Sequence, residues 1–400
     1  MKIAILSTSA TLGGAAIASA RLASALKDQG QEVRLFTLDG VRRERTLPFL
    51  AERAEIFVSN GLNRDNLFKV STASTGRSGI VEEVLSMAPD VIVLGWVNQG
   101  FLSLGQIRKL GSHGIPLVWV MHDMWNLTGI CHHSLGCTRF TGECGYCPMI
   151  KTPMRGAGDL SHRVWSRKER LYLSVPMRFV AVSHWLADLG RRSKLMRDNP
   201  PVVIPNVFPM ENFRIGPKEK GLIIMGAARL DDPIKGLHHA VGALNLLQGH
   251  PTAHVCFFGE LRNPDALKGL KIPFEYLGPL DEAEVVELMS RACVVLSSSL
   301  YENLPTTLIE GQASGAMPVS FDRGGQADII DHHHSGFLAP FGDEAALARG
   351  LQWAIEGPVA PETLRAEVER KFSAKAVAGR MISLFEDLKS TFSAEKHKFF

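Results

Sequence analysis

Residues Leu300–Gly325 read LYENLPTTLIEGQASGAMPVSFDRGG. A short apolar run, Ala292–Ser297, precedes them and predicts a buried parallel strand. Pro305 suits the first position of a helix, because its φ is fixed and it has no N–H to leave unpaired. Thr306–Ser314 then reads as a short helix closed by Gly315, with a second strand over Ala316–Phe321. Glu302 falls in the loop at the carboxyl end of a strand, and Glu310 one to two turns into the helix. Open α/β sheets bind ligands in that crevice. The helix start offers unpaired N–H groups and the positive end of its dipole to a phosphate. Two carboxylates nearby can grip hydroxyls. Phosphate with hydroxyls points to a nucleotide or a nucleotide sugar. The plain alternative is a capped helix with a solvated Glu310; the strand, loop, proline and helix context favours the site.

Working outward, the carboxyl half repeats α/β logic. Strands are expected at Leu222–Ala227, Ala253–Phe258, Phe274–Leu277, Cys293–Ser297, Met317–Phe321 and Gly336–Leu338, separated by helices. Arg229 and Lys235 follow the first of these strands, and Lys235 is expected to open a helix. Two cations near a helix start suit a diphosphate. His332-His333-His334 is read as a turn rather than a metal cluster, since successive residues point different ways.

The amino half opens as a βαβ unit: strand Lys2–Ser7, a small-residue loop ending in Gly13-Gly14, helix Ala15–Gln29 and strand Glu32–Thr37. It lacks the G-x-G-x-x-G dinucleotide fingerprint. Gly13 and Gly14 either admit a phosphate close to the backbone or form an ordinary tight turn. Residues 41–80 show little periodicity and predict loops with one or two short elements. Strands Val91–Gly95 and Pro116–Met121 flank a helix at Phe101–Leu110, and the second ends in His122-Asp123, pointing His122 at the crevice. Residues 123–150 make a loop long enough to be functional or held by something. Lys151–Arg197 carries eleven Lys or Arg against three acids. Arg163, Arg167 and Arg170 share one helical face there, with Trp165 and Trp185 among the charges. A solvated basic face is the bland reading.

Four hundred residues, 45% hydrophobic and 21% charged, suit a globular chain of two or three domains. No apolar run is long enough to span a bilayer. The opening MKIAILSTSA flows into a glycine turn and helix, so it reads as a first strand rather than a signal peptide, and a cytoplasmic location is expected. Residues 1–200 carry 25 basic and 16 acidic side chains, a net +9; residues 201–400 carry 19 and 25, a net −6. Only the first half is suited to an anionic surface.

The Glu302-x7-Glu310 spacing with Pro305 between resembles the signature of retaining GT-B glycosyltransferases of family four. The resemblance runs from Gly13 to about Gly342 and rests on four motifs in order. It implies a GT-B fold of two doubly wound Rossmann-like domains facing a cleft. Residues 1–200 would form the acceptor-side domain, 201–373 the nucleotide-sugar domain, and helix 374–392 would pack back on the first. It further implies that Glu302 and His122 contact the donor sugar and that Glu310 contacts the ribose. Gly13-Gly14, Arg229, Lys235 and the Pro305-Thr306 helix start would hold the diphosphate. The implied reaction is retaining hexosyl transfer from a nucleotide-diphospho-sugar with no catalytic metal. Asn303, Ala228 and Val207 stand where the family commonly has glycine; asparagine tolerates positive φ best among the other residues.

The stretch HDMW-x-x-TG-x-CH-x-x-x-GC…C-x-x-CP resembles a subgroup building bacterial surface polysaccharides. It implies a saccharide or lipid-linked oligosaccharide acceptor at the inner face of the membrane, with the basic stretch on anionic lipid. A nucleotide-sugar epimerase on the same fold is one alternative, argued against by the Glu302 and Glu310 pattern. A zinc-containing nucleic-acid-binding protein is another, but it leaves Arg229, Lys235 and the glutamates unexplained, so no nucleic-acid partner is expected.

Four of the six cysteines, Cys131, Cys137, Cys144 and Cys147, are spaced Cys-x5-Cys-x6-Cys-x2-Cys. The last pair, followed by Pro148, resembles half of a zinc knuckle, and a structural zinc is the expectation. His132 or His133 could replace one thiol. The rivals are two disulfides, disfavoured in a reducing compartment, and four free thiols in a core.

Overall fold

The computed structural model describes residues 1–151 and 159–396, with side chains to Thr391. It divides into two compact units: Met1–Val207 with the chain from Val377 onward, and Phe208–Ala376.

In the first unit the chain runs β1 (Lys2–Leu6), α1 (Gly14–Asp28), β2 (Glu32–Phe36), α2 (Leu47–Ser59), α3 (Ile80–Ser86), β3 (Val91–Leu94), α4 (Leu104–Gly111), β4 (Leu117–Met121), α5 (Leu160–Ser174), β5 (Met177–Ala181), α6 (His184–Arg192) and β6 (Val202–Val203). The six strands form one parallel sheet in the order β2-β1-β3-β4-β5-β6. β3 and β4, VIVL and LVWVM, are buried at every residue. Helices covering both sheet faces leave no polar side to these strands, which is why they are continuous apolar runs. β6 pairs with β5, so the first unit extends past residue 200 to Val207.

The second unit runs β7 (Leu222–Arg229), α7 (Leu237–Asn245), β8 (His254–Glu260), β9 (Phe274–Tyr276), α8 (Glu282–Arg291), β10 (Val294–Ser297), α9 (Thr306–Ala313), β11 (Met317–Phe321), α10 (Gln326–Ile329), β12 (Phe337–Ala339), α11 (Glu344–Ile355) and α12 (Pro361–Phe372). Its parallel sheet has the order β12-β11-β10-β7-β8-β9. Strand order reverses between β7 and β10, so their loops diverge and leave a crevice at the carboxyl edge. A core of Ile223, Phe257, Val294, Val319, Phe321, Leu347 and Leu351 fills this sheet and the helices against it. α13 (Ala374–Lys396) returns to the first unit from Val377, where Lys389 Nζ binds Asp90 Oδ1 at 2.7 Å. Both units are thus Rossmann-like α/β domains, as the sequence predicts.

Four local expectations change. Residues 41–80 contain a full helix, α2, capped by the Thr46 hydroxyl on the Phe49 N–H. Lys235 does not open a helix: it ends a 3₁₀ turn, Pro233–Lys235, and Gly236 at φ +63° breaks the chain direction before α7. Pro305 caps α9 rather than occupying its first turn. Trp165 is buried, not set among the surface charges.

Candidate active site

Both sequence-read strand ends of the second unit meet at the reversal of strand order. The loop after β7 carries Arg229 and Lys235; the loop after β10 carries Glu302 and leads through Pro305 into α9. These loops are stitched together by backbone and side chain. Leu300 N–H donates to Ile234 O at 2.7 Å, and Ser298 Oγ to Lys235 O at 3.0 Å. Gly236 lies so close to the Ser298 carbonyl that a side chain there would collide with it. The loop after β11 closes the other flank, with Gly325 N–H donating to Glu302 O at 3.1 Å.

Lys235 Nζ forms an ion pair with Glu302 Oε1, and Ser299 Oγ donates to the same oxygen at 3.3 Å. The cation read for a diphosphate and the carboxylate read for sugar hydroxyls are therefore neighbours. Both are partly exposed, at 25% and 20% of the side chain, so a ligand can reach them. Arg229 is turned onto its own loop, with Nη2 3.1 Å from Asp232 Oδ2 and Nε 3.6 Å from Asp231 Oδ1. No side chain caps α9. Its first-turn N–H groups at Thr306 and Thr307 are oriented as anion donors. Thr306 is exposed and Glu310 half-buried one turn on. Gly311 packs α9 against Val295 of β10, where a β-carbon would clash.

In the first unit the order reverses between β1 and β3, and His122 follows the adjacent β4. Gly13 has φ +94° and Gly14 starts α1, with open space where a β-carbon would lie at either position. The turn before them is held by Asp39, which accepts from Ser9 Oγ at 2.6 Å and Ala10 N–H at 2.7 Å. Thr8 Oγ1 donates to Trp96 O at 2.9 Å and so joins the loops after β1 and β3. His122 lines a small cavity of about 20 Å³ with Ser19, Gly95, Asn206 and Met381. Desolvation pushes the His122 pKa down to about 4, against the opposing pull of Asp123, so at neutral pH the imidazole is uncharged. A neutral imidazole can exchange hydrogen bonds with a sugar hydroxyl without adding charge.

Sequence reasoning missed the network behind His122. Asp123 Oδ2 lies 2.7 Å from His132 Nδ1 and accepts from Trp96 Nε1 at 3.0 Å; Oδ1 accepts from Trp125 N–H at 2.8 Å. His132 Nε2 is 2.9 Å from Ser71 Oγ. Burial opposes the Asp123 charge, but His132 and these donors outweigh it and hold the carboxyl down at about 2. Both His132 nitrogens are engaged within the protein, which removes it as the replacement metal ligand. The signal available was His-Asp at a strand end followed by a long loop; nothing in the spacing named Ser71 or Trp96.

That long loop is no bare surface excursion. Met124–His132 is buried, and Val70 bridges Cys131 across a small core with Ile56, Ile130, Ile150, Leu160 and Val164. The expectation that it lacks a core of its own is corrected: α2, the 70–72 segment and α5 supply one. Cys131, Cys137, Cys144 and Cys147 line one cavity of about 20 Å³ and are free thiols. Burial pushes Cys131 and Cys144 up to about 11 and Cys147 to about 12. Among the described residues no group of three or more His, Cys, Asp or Glu is arranged to hold a metal ion.

Two Rossmann-like domains, each with a parallel six-stranded sheet whose order reverses after its first strand, define a GT-B glycosyltransferase architecture. The Glycosyltransferase Family 4 model matches residues 12–211 and the Glycosyl transferases group 1 model residues 208–376. The chain belongs to this glycosyltransferase family. It is 28% identical over 193 residues to the D-inositol 3-phosphate glycosyltransferase of Jonesia denitrificans, covering 44% of this chain and 45% of that one. It is 34% identical over 134 residues to the amylovoran biosynthesis glycosyltransferase AmsK of Erwinia amylovora, 32% of each chain. The chain thus spans less than half the length of these two relatives. The crystal structure of Anabaena HepE in complex with UDP matches at TM-score 0.60 and 16% identity, over 97% of this chain and all of that one.

Proposed function

We propose that this glycosyltransferase moves a hexose, with retention, from a nucleotide-diphospho-sugar to a growing, lipid-linked saccharide in bacterial surface-polysaccharide synthesis. The observation that carries this is the Lys235–Glu302 pair at the β7/β10 reversal, beside the uncapped start of α9. It offers a cation and helix N–H groups to a diphosphate and a carboxylate to sugar hydroxyls, the two halves of one donor. UDP in the HepE structure supports the donor class, and the amylovoran relative supports the polysaccharide context. In the front-face displacement the sugar C1–O bond to the diphosphate breaks while the acceptor oxygen bonds C1 on the same face. The departing diphosphate oxygen takes the acceptor proton. Lys235 and the Thr306–Thr307 N–H groups stabilise the charge that develops on the diphosphate. Arg229 adds to them once it leaves Asp231 and Asp232, and Glu310 takes the ribose. His122 and Gly13-Gly14 are assigned to the sugar and the diphosphate by the family resemblance. No step calls for a metal.

A lipid-linked acceptor fits the basic first unit. Arg108, Arg167 and Arg170 line a groove of about 360 Å³ floored by Leu104 and Leu171, suited to phosphate beside an alkyl chain. No helix among the described residues is long and apolar enough to cross a membrane. Of the basic stretch read from the sequence, residues 152–158 lie outside the described residues.

The test supplies UDP-sugars with and without saccharide acceptors and measures nucleoside diphosphate release and the anomeric product. Release only with acceptor, with the donor's anomeric configuration kept, supports the reading. Sugar isomerisation without acceptor would establish the epimerase instead.

A further inference from the structure

We propose that Cys131, Cys137, Cys144 and Cys147 bind one structural zinc ion inside the loop that follows β4. The first observation is convergence. The cysteines are separated by up to sixteen positions in sequence, yet all four line one cavity. Cys147 packs against the small core that contains Cys131. A tetrahedral thiolate site needs sulfurs about 3.8 Å apart around a Zn–S distance of about 2.3 Å. The metal-free thiols are neutral and do not stand in that arrangement. Side-chain rotation into the shared cavity brings them there, each losing a proton to solvent as its zinc–sulfur bond forms.

The second observation is the surroundings, which are those a buried thiolate cluster requires and a plain thiol core does not. Gly129 N–H donates to Cys144 Sγ at 3.1 Å. Such an N–H group fixes ligand orientation and disperses thiolate charge. Lys168, fully buried on α5, donates from Nζ to the carbonyls of Thr128, at 3.0 Å, and Trp125, and sits 3.4 Å from the centre of the Trp125 ring. Burial disfavours the charged form of Lys168, and the thiolates of a loaded site at Cys144 and Cys131 are the nearby charges that would favour it. A zinc with four thiolates carries about two net negative charges, and a cation beside it offsets part of the cost of burying them. The site has no fifth position for water, so its role is to hold the loop behind His122, not to react.

The test uses the full chain, stripped with chelator under reductant and reloaded with zinc, or with cobalt(II) as a spectroscopic probe. The expected result is about one equivalent of tightly held zinc. Cobalt should give the sulfur-to-metal charge-transfer and tetrahedral ligand-field bands of a thiolate site. Cys137 and Cys147, the two partly exposed cysteines of the four, should then resist a thiol reagent in the folded chain until zinc is removed. Cys144→Ser and Cys147→Ser should each lower retained zinc at least tenfold; the cobalt spectrum of the unaltered chain keeps the test valid if those variants fail to fold. Zinc below about a tenth of an equivalent after reloading overturns the proposal. So does recovery of the four as two disulfides from protein never exposed to oxidant.

Discussion

Two loops at strand ends carry candidate residues, one in each unit, and they are built in opposite ways. The loop after β10 needs eight residues, 298–305, to reach α9. It is fixed by backbone bonds to the loops after β7 and β11 and by one ion pair, Lys235–Glu302. The loop after β4 takes thirty-eight residues, 122–159, to reach α5. No sheet edge can order that length, because each residue costs about 1–2 kcal/mol of backbone entropy. Its described part is instead held by α2, the 70–72 segment and α5, through the Asp123–His132–Ser71 bonds, the Lys168 head group and the small core around Ile130. Removing a charge beside the short loop should therefore cost activity and spare stability. Removing a polar group that holds the long loop should cost stability first.

The largest expected effect breaks the long loop. Lys168→Ala strips the donor from two buried carbonyls and leaves a cavity, for a loss of about 3–5 kcal/mol. Urea unfolding followed by tryptophan fluorescence reads it, since five of the six tryptophans lie in the first unit. A loss under about 1 kcal/mol would mean that something else holds the loop.

Next, Lys235→Ala and Glu310→Ala should lower turnover at least tenfold while leaving the melting temperature within a few degrees. A charge-assisted hydrogen bond to a bound group is worth about 1.5–3 kcal/mol, enough for that factor. Wild-type turnover in either variant would remove that residue from the site.

The pH dependence of stability separates the two sides of the His122–Asp123 junction. His122 titrates near 4 when folded and near 6.5 when not, so the unfolded chain binds the extra proton between these values and stability falls as pH drops from 6.5 to 4. Asp123 titrates near 2 folded against 3.8 unfolded, so its contribution is complete above 3.8 and is lost as pH falls through 2. His122→Gln should flatten the upper window and Asp123→Asn the lower one. Unchanged slopes would show that these groups do not differ between folded and unfolded chain.

The smallest effect concerns the first unit's surface. Arg108→Ala, Arg167→Ala and Arg170→Ala should each weaken binding to anionic vesicles by about 1 kcal/mol at low salt, with no effect on neutral vesicles. Co-sedimentation decides it; equal binding to both vesicle types would sever the basic groove from lipid.

The sequence by itself determined the α/β architecture, because parallel strands covered on both faces must be continuous apolar runs, and VIVL, LVWVM and the Val294–Ser297 strand are such runs. It also placed Lys235 and Glu302 at strand ends, since the residue following a buried parallel strand emerges at the carboxyl edge. Only the tertiary structure decided that these two pair with each other. That depends on strand order, which sets β7 beside β10 across some seventy residues of intervening chain, and no local pattern encodes it. The same holds for Ser71 meeting His132, for Trp165 turning inward and for four cysteines sharing one cavity. Periodicity fixes which face of an element is apolar; which distant side chains complete a polar group's hydrogen bonds is settled only when the elements pack.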